Sequence, residues 1–526
     1  MPPRNERRAW ILPGLIFSYF LGIFIFVHAR PGGQIERDGY FHARAAQTLP
    51  ARGLSRKFPW TQASIWKETF HDKEFLYHLW LAPFARGESP IRGAAVASSL
   101  LAAGIFAGFF LLLRHHAVPW PLLGTTILAA MGGPFLLRLS FVRAHVLSVF
   151  LFIIALHFLL SRKPKALAIL GAVYAWSYSV PLIFPAFAFL YCLGRKLSGE
   201  EADWKLAGAA VAGVVGGLVV HPYTPLSIGS LWTHLQILTI AATQRSLAAI
   251  EVAREFAPYG TRDFLLAYPG LVLTAIVLVL GGWRAGKKAS AETMGLLTAA
   301  AAAFLATLVV SRTIEYAAPL AAAAVMFAAR DVFDDETVKS LSAWMKKERR
   351  PRFLLKPGFF LIVLGVHTHC LAYVFAMADN NDNPRFHAAA HWMRKNLKEG
   401  ETVVNLWWDD FPDLYYSAPR QRFLVGLDPT FMLQWDKEKA LKLERMRTAR
   451  EPLDPAWLAE TFEARVMILR APSTRFYQQL QWSVWKPVYA DGTAAIYALS
   501  GPLGPSSAAR GGLPVIQDLT SPPQSR

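Results

Sequence analysis

The chain has 526 residues, of which 53% are hydrophobic and only 17% are charged; its formal net charge is +18 and its mean hydropathy is +0.28. A soluble chain would have about a quarter of its residues charged, so the composition excludes a wholly soluble protein. The two cysteines, Cys192 and Cys370, lie far apart in apolar segments and lack CxxC partners, which argues against a disulfide framework or a cysteine zinc site.

Apolar runs of about 20 residues, the length that a helix needs to cross a bilayer, recur from the N-terminus to residue 377. The stretch 166–193 is too long for one span, and Pro181 near its centre would break a helix, so we interpret it as two short helices that meet at an outer turn. With these two, the sequence predicts about eleven transmembrane helices. The other runs are 11–28, 91–113, 119–137, 141–160, 206–222, 264–283, 292–311, 314–330 and 354–377.

Lysine and arginine occur in every second short loop of this arrangement. With the N-terminus inside, the cytoplasmic loops contain Arg114, Lys165 and Lys288, among others. This alternation is what the positive-inside rule requires. It predicts an inner or plasma membrane protein with a cytoplasmic N-terminus. Since eleven is odd, the C-terminal region is predicted to be periplasmic or extracellular.

Three long segments fall on the predicted outer side. We expect residues 1–377 to form a transmembrane domain with outer loops at 29–90 and 223–263, followed by an extracytoplasmic α/β domain at 378–500. Residues 501–526 are rich in Pro, Gly and Ser and are predicted to be a disordered tail.

Within the outer domain, helical and strand patterns alternate. This alternation predicts a small α/β unit. The predicted helices are His387–Leu397, Asp436–Arg447 and Thr474–Gln481, the strands are Thr402–Leu406, Phe423–Val425 and Arg465–Leu469, and a final hairpin covers Val488–Leu499.

The first outer loop concentrates acidic residues and histidines. Asp38 and His42 lie near its beginning, and His71, Asp72 and Glu74 lie near its end. Carboxylates suit Mg²⁺ or Mn²⁺, so Asp38, Asp72 and Glu74 are candidate ligands of a divalent metal. A carboxylate here would equally serve as a general base, and an ordinary loop carboxylate that caps a helix is the alternative.

Arginines at predicted outer turns are the next candidates. Arg138 and Arg143 lie in a region without acidic residues between Glu88 and Glu200, so we expect them to be unpaired cations. Either they bind the phosphate of a lipid headgroup or they extend to headgroups as simple anchors. Arg312 has the same two interpretations, as a phosphate ligand or as the local partner of Glu315.

Three features together resemble the GT-C superfamily of membrane glycosyltransferases, which take sugar from a polyprenyl-phosphate carrier. Asp38-Gly39-Tyr40-Phe41-His42 follows the first helix, as the family's first acidic motif does, and the helix count and long first outer loop match the family plan. Trp407-Trp408-Asp409 is similar to the Trp-Trp-Asp motif of the oligosaccharyltransferase catalytic subunit, which recognises the acceptor.

The resemblance implies roles for individual residues. Asp38 and Asp72 would be catalytic. His42, His71, Arg138, Arg143, Arg312, Trp407, Trp408 and Asp409 would bind substrate, and Glu255 would stand in the 223–263 loop in place of the family's Thr-Ile-x-Glu motif, which is absent.

The expected function is therefore transfer of a sugar or glycan, with inversion, from a polyprenyl-phosphate donor to an outer lipid, glycan or protein. Membrane lipid is an expected partner and nucleic acid is not. Two other classes of protein remain: a glycan or lipid transporter (flippase) without catalysis, and a structural membrane protein whose outer domain binds partners. A large folded outer domain and acidic residues confined to the first loop favour the enzyme, because transporters more often place polar residues in mid-membrane.

Overall fold

The computed structural model describes residues 10–30, 36–229, 231–232, 257–285, 289–332, 352–379, 384–471, 474–480, 483 and 485–499. They form two compact units. The helical unit, as we name it, contains the described residues of Met1–Ile35, Lys73–His234 and Ala253–Asn381; the sheet unit contains those of Glu36–Asp72 and Asp382–Arg526. The tail predicted at 501–526 lies outside the described residues.

Helices make up nearly all of the helical unit. The predicted break near Pro181 is present, because one helix ends at Ser177 and the next begins at Ile183. The helices are Ile11–Ala29, Phe75–Leu81, Pro90–His115, Pro121–Ala129, Gly133–Leu139, Ala144–Leu160, Pro164–Ser177, Ile183–Leu197, Trp204–Val219, Thr261–Ala267, Pro269–Ala285, Ala291–Val309, Ile314–Val332 and Arg352–Asp379, with a 3₁₀ turn at Ser311–Thr313.

Four of these helices are long and apolar enough to cross a membrane, or six spans result if two bent helix pairs each count as one. Large apolar side chains such as Leu305 and Ile362 are exposed on the spans, as expected for side chains that face lipid. The helices indicate an integral membrane protein, and the count of eleven spans stays a prediction. The four spans are Ile11–Ala29, Pro90–His115, Ala291–Val309 and Leu361–Ala378.

Two runs that the sequence predicted as single helices are bent. Within 119–137 the chain turns by 91° between Ala129 and Gly133, and within 264–283 it turns by 92° near Tyr268. In each case a proline lies in the first turn of the second helix. Its missing N–H costs nothing at that position, because first-turn N–H groups have no partner within the helix. A proline does prevent the preceding helix from continuing through it. The first bend places Arg138 in the last turn of its short second helix.

The sheet unit is built around five strands: β1 (Thr402–Asn405), β2 (Arg422–Phe423), β3 (Val466–Arg470), β4 (Trp485–Ala490) and β5 (Ala494–Leu499). Their order is β2-β1-β3-β5-β4, in which β1 is parallel to both β2 and β3, and the β4–β5 hairpin is antiparallel. The predicted α/β unit is confirmed. Its helices are Asp38–Arg52, Trp66–Thr69, His387–Asn396, Phe411–Ser417, Pro429–Trp435, Lys437–Arg447, Pro455–Phe462 and Thr474–Leu480.

Aspartate caps begin several of these helices. Asp428 and Asp454 each precede a proline at the first helical position, and their carboxylates accept backbone N–H groups of Thr430 at 2.8 Å and Trp457 at 3.0 Å. A capping aspartate followed by proline is a strong helix start, because both satisfy the otherwise unpaired first turn. The sequence prediction missed both helices.

Residues 36–72, predicted as part of one outer loop, pack on the C-terminal residues within the sheet unit. Trp60 Nε1 donates to the carbonyl oxygen of Pro419 at 2.8 Å, and Thr61 forms a parallel bridge with Phe423 of β2. The ring of Trp66 stacks on Phe431 with centroids 4.5 Å apart. This segment therefore extends the sheet edge and its core.

Asn405, at the end of β1, is fully buried and should be essential to the sheet unit. Its Oδ1 accepts N–H groups of Leu424 and Val425, and its Nδ2 donates to carbonyl oxygens of Val425 and Trp407, at 2.9–3.2 Å. We predict that Asn405→Asp lowers the thermal unfolding midpoint clearly, since each buried polar group left unpaired costs on the order of 1–3 kcal/mol. Asn396→Asp, the same change at a helix end, is the control. Equal midpoints for the two variants would contradict this role.

Candidate functional site

The carboxylate of Glu315 is the charged centre of the helical unit. It lies in the first turn of Ile314–Val332, where a negative charge is favourable, and its side chain is 1% exposed. Arg138 Nε donates to Glu315 Oε1 at 2.6 Å, and Arg138 Nη2 contacts the same oxygen. Arg312 Nε lies 3.6 Å from this oxygen as well. Two guanidinium groups therefore share one carboxylate oxygen.

Arg138 and Glu315 are supported by a buried histidine. His145 Nε2 donates to the carbonyl oxygen of Arg138 at 2.7 Å, and its Nδ1 lies 3.9 Å from Glu315 Oε1. The side chain is wholly buried. His145 therefore links the end of the helix Gly133–Leu139 to the helix that follows.

Three buried hydroxyl groups, from the helices of Glu315 and His145 and from the helix Pro164–Ser177, lie close together. Tyr174 OH lies 2.7 Å from both Ser148 Oγ and Tyr316 OH, and Ser148 and Tyr316 are also hydrogen-bonded. Tyr316 directly follows Glu315, and Ser148 lies three residues after His145. This network fixes the relative position of three helices beside the charged centre.

A cavity of about 280 Å³ adjoins Arg138. Apart from the guanidinium group, two tyrosines and a serine, its lining is apolar. An apolar wall with one charged group suits a ligand that combines a hydrocarbon chain with an anionic head. The lining residues are Pro134, Leu137, Arg138, Phe141, Ala257, Pro258, Tyr259, Tyr268 and Ser311.

In the sheet unit, Trp407-Trp408-Asp409 lies at the carboxyl end of β1. The parallel strands β2 and β3 flank β1 on opposite sides, so the connection from β1 leads to one side of it and the connection from β2 leads to the other. Crevices at such switch points are where open α/β sheets bind ligands. Both tryptophans pack against the core cluster and remain partly exposed.

Arg470, the last residue of β3, holds this crevice together. Its Nη2 lies 2.5 Å from Asp409 Oδ1 and 2.8 Å from Asp410 Oδ1, and its guanidinium carbon lies 4.8 Å from the centre of the Trp407 ring. Asp409 remains 43% exposed, whereas Asp410 is buried at 4%. Asp409 is thus the carboxylate that can reach a ligand.

Asp410 and Asp413 are buried beside two further arginines. Arg37 lies 3.6 Å from Asp410 Oδ1 and 3.7 Å from Asp413 Oδ2, and Arg385 lies 3.8 Å from Asp410 Oδ1. The backbone N–H of Arg385 also donates to Asp413 Oδ1 at 3.3 Å. Burial raises the pKa of Asp410 to about 6 despite Arg470, and burial with the Asp410 charge raises the pKa of Asp413 to about 6 despite Arg37.

No family model and no curated protein matches this chain. Solved structures do match. The archaeal oligosaccharyltransferase AglB from Archaeoglobus fulgidus, in complex with an inhibitory peptide and a dolichol-phosphate, aligns with a TM-score of 0.60 at 14% identity over 94% of this chain and 75% of that one. ArnT from Cupriavidus metallidurans, bound to undecaprenyl phosphate, aligns with a TM-score of 0.57 at 14% identity over 94% of this chain and 99% of that one.

The chain therefore shares the fold of these two proteins. The resemblance that rested on Asp38-Gly39-Tyr40 and Trp407-Trp408-Asp409 is therefore confirmed at the level of the fold. At 14% identity the likeness carries the architecture and leaves substrate and reaction to be argued from this chain's own residues.

The prediction that Arg138 is an unpaired cation is wrong. The nearby sequence has no carboxylate, but Glu315, 177 residues away, supplies one. Arg312 does have the predicted local partner Glu315, and it also donates to Tyr178 OH at 3.0 Å. Arg143 precedes the first residue of the helix Ala144–Leu160, with its side chain half-buried.

The carboxylates of the first loop have different surroundings. Asp38 is the first residue of the helix Asp38–Arg52, and its N–H donates to Glu36 Oε1 at 3.0 Å. Asp72 is buried, with Arg52 Nη2 3.5 Å from its Oδ2. His42 and His71 are also buried in the sheet unit. Among the described residues of that unit, no group of three potential metal ligands contains Asp38 or Asp72.

Glu74, the third predicted metal ligand, belongs to the helical unit. It precedes the helix Phe75–Leu81, and one of its carboxylate oxygens lies within 4.8 Å of a His78 ring nitrogen. A carboxylate and an imidazole one helical turn apart can supply two of the ligands of a divalent metal ion. Glu255 lies outside the described residues.

Sequence reasoning missed Glu315, His145, Asp410, Asp413 and Arg470 as site residues. The sequence predicts Glu315 only as a local partner of Arg312, although an acidic residue beside an apolar helix is itself a signal of a buried ion pair. The spacing of Asp410 and Asp413, one helical turn apart after a strand, was the corresponding signal in the sheet unit.

The raised pKa values predict a pH dependence of stability. An unfolded aspartate has a pKa of about 3.9, so folded Asp410 and Asp413 hold their protons up to a higher pH than the unfolded chain does. Their contribution to stability is complete below about pH 4 and is lost as the pH rises through about 6. We predict that the thermal unfolding midpoint of Asp413→Asn falls less between pH 4 and 7 than that of the wild type. Asp491→Asn should show the same pH dependence as the wild type. An unaltered slope in Asp413→Asn would contradict the assignment.

Proposed function

We propose that the protein is a membrane glycosyltransferase that transfers a sugar or glycan from a polyprenyl-phosphate donor to an extracytoplasmic acceptor, with inversion at the anomeric carbon. The observation that carries this proposal is the position of Arg138, whose guanidinium group borders an apolar cavity within the membrane helices. The GT-C fold adds support, since two proteins of that fold were solved with dolichol-phosphate and undecaprenyl phosphate.

The donor's phosphate is the group that Arg138 suits. A guanidinium group binds phosphate oxygens through two parallel N–H bonds, and a prenyl chain suits the cavity's apolar lining. Glu315 holds Arg138 and Arg312 close together, so neither guanidinium group is an isolated buried cation. We assign phosphate binding to these two arginines, with Arg143 as a further contact.

The reaction breaks the bond between the anomeric carbon and the phosphate oxygen. Polyprenyl phosphate leaves with the electron pair, and arginines stabilise the negative charge that develops on it. The acceptor oxygen or nitrogen attacks from the opposite face and forms the new bond. Asp38 takes the acceptor's proton, and Asp72 orients the acceptor; both are carboxylates of the sheet unit.

The acceptor binds the crevice at the carboxyl ends of β1 and β3 in this proposal. Trp407 and Trp408 offer partly exposed rings, and Asp409 offers an exposed carboxylate that Arg470 holds in place. His42 and His71 are assigned to the same acceptor-binding role. A lipid, a glycan and a protein segment all remain acceptor classes.

A divalent metal, where the reaction uses one, would find Glu74 and His78 suitably placed as ligands. When bound, Mg²⁺ or Mn²⁺ would neutralise phosphate charge. We further propose the topology given by the basic loops: eleven spans, a cytoplasmic N-terminus and a C-terminal α/β domain outside the membrane.

Binding of undecaprenyl phosphate tests the donor site. We predict that Arg138→Lys, which keeps the charge beside Glu315 but loses the bidentate geometry, weakens binding of this lipid at least tenfold in native mass spectrometry of the purified chain. Arg92→Lys, at an exposed arginine of the same unit, should bind like the wild type. Equal affinity in all three chains would remove Arg138 from the donor site.

Transfer by Asp38→Asn tests the chemistry. This change keeps the size of the side chain and removes its charge, so we predict a normal unfolding midpoint and a transfer rate lower by about 10² or more, the usual scale for a lost general base. The assay uses polyprenyl-phosphate lipids extracted from the native membrane as donors. Glu68→Gln, at an exposed carboxylate of the same segment, is the control. Near-normal transfer by Asp38→Asn would exclude this residue as the base.

A further inference from the structure

Three histidines converge at one end of two packed helices. His115 is the last residue of the helix Pro90–His115, His116 follows it, and His157 lies in the last turn of Ala144–Leu160. They belong to the helical unit and have no part in the proposed transfer reaction. Two of them come from one helix end and the third from its neighbour, so a ligand shared by all three would join the two helices.

The distances between the rings suit a common metal ion. Their centroids lie 5.1 Å apart for His115 and His116, 4.7 Å for His115 and His157, and 5.5 Å for His116 and His157. One ring nitrogen from each lies within 4.8 Å of those of the other two. Zinc–nitrogen bonds of 2.0–2.1 Å at tetrahedral angles would place the nitrogens about 3.4 Å and the centroids about 5 Å apart. The rings already have nearly this spacing, and small side-chain rotations bring the nitrogens to it.

The surroundings allow an ion to enter. His115 is exposed, and His116 and His157 are half-buried. His115 and His157 line a cavity of about 460 Å³, together with Trp10, Arg114 and apolar side chains. His116 Nε2 is buried and has no hydrogen-bond partner within the part of the chain that the structure describes. A buried ring nitrogen without a partner is costly unless something binds it.

We propose that His115, His116 and His157 form a binding site for a transition metal ion, with Zn²⁺ as the typical occupant. Three neutral imidazoles without a carboxylate suit zinc and disfavour Mg²⁺ or Ca²⁺, which prefer oxygen ligands. Three protein ligands leave the fourth tetrahedral position to solvent or to an anion from the cavity, where Arg114 contributes positive charge. The bound ion ties the ends of the helices Pro90–His115 and Ala144–Leu160 together.

Metal stoichiometry of the purified, full-length chain tests this site. The chain is produced with an affinity tag that contains no histidine, treated with a chelator, incubated with ZnCl₂ and passed through gel filtration before elemental analysis. His115→Gln and His157→Gln are each expected to bind one Zn²⁺ per chain fewer than the wild type. His369→Gln, at an exposed histidine of the same unit, should bind as much as the wild type.

Substitution of Co²⁺ for Zn²⁺ adds a spectroscopic readout, because tetrahedral Co²⁺ absorbs visible light strongly. The wild type and His369→Gln should show this absorption, and His115→Gln and His157→Gln should lose it while eluting at the same volume. His115 is exposed, so its replacement is expected to leave the fold intact. Absence of zinc from the wild type, or unchanged zinc content in both ligand variants, would overturn the proposal.

Discussion

The helical unit depends on one buried carboxylate, that of Glu315. It brings the guanidinium groups of Arg138 and Arg312, which would otherwise repel each other, to within 4 Å of a single oxygen. Charges of this kind are rare among membrane helices, because an unpaired ion there is very costly. Pairing with Glu315 lowers that cost for Arg138, which also lines the apolar cavity. The bend before Gly133 is part of the same arrangement, since it begins the short helix that has Arg138 in its last turn.

The sheet unit also pairs arginines with carboxylates, but here one carboxylate stays exposed while two are buried. Arg37, Arg385 and Arg470 face Asp409, Asp410 and Asp413 where β1 and β3 end. Burial raises the pKa values of Asp410 and Asp413, so these two aspartates make the stability of the sheet unit depend on pH. Asp409 stays partly exposed, and in the proposed function it is the carboxylate that meets the acceptor. The switch point of the sheet thus separates a structural acidic pair from a carboxylate that is free to meet a ligand.

Local patterns in the sequence predicted most of the elements. The strands of the α/β unit, three of its helices, the break at Tyr178–Pro181 and most apolar segments follow from periodicity and from proline, which act over a few residues. Contacts between distant residues could not be predicted this way. The Arg138–Glu315 pair joins residues 177 positions apart, and the packing of residues 36–72 on β2 joins residues more than 350 apart. The motifs Asp38-Gly39-Tyr40 and Trp407-Trp408-Asp409 led to the correct fold, whereas the partners of Arg138 and Asp409 required the structure.

The most direct test of catalysis is mass spectrometry of the products made by the purified chain in detergent. Native polyprenyl-phosphate lipids and an extract of acceptors from cells that lack the gene would be the only other components. We expect a new acceptor species heavier by one transferred sugar or glycan, inverted at its anomeric carbon, together with released polyprenyl phosphate. A transporter only moves its substrate across a bilayer, so in detergent it would form no glycosylated product. Absence of product from a folded chain, when the same cells regain the missing glycosylated species on restoring the gene, would contradict the enzyme and favour a transporter.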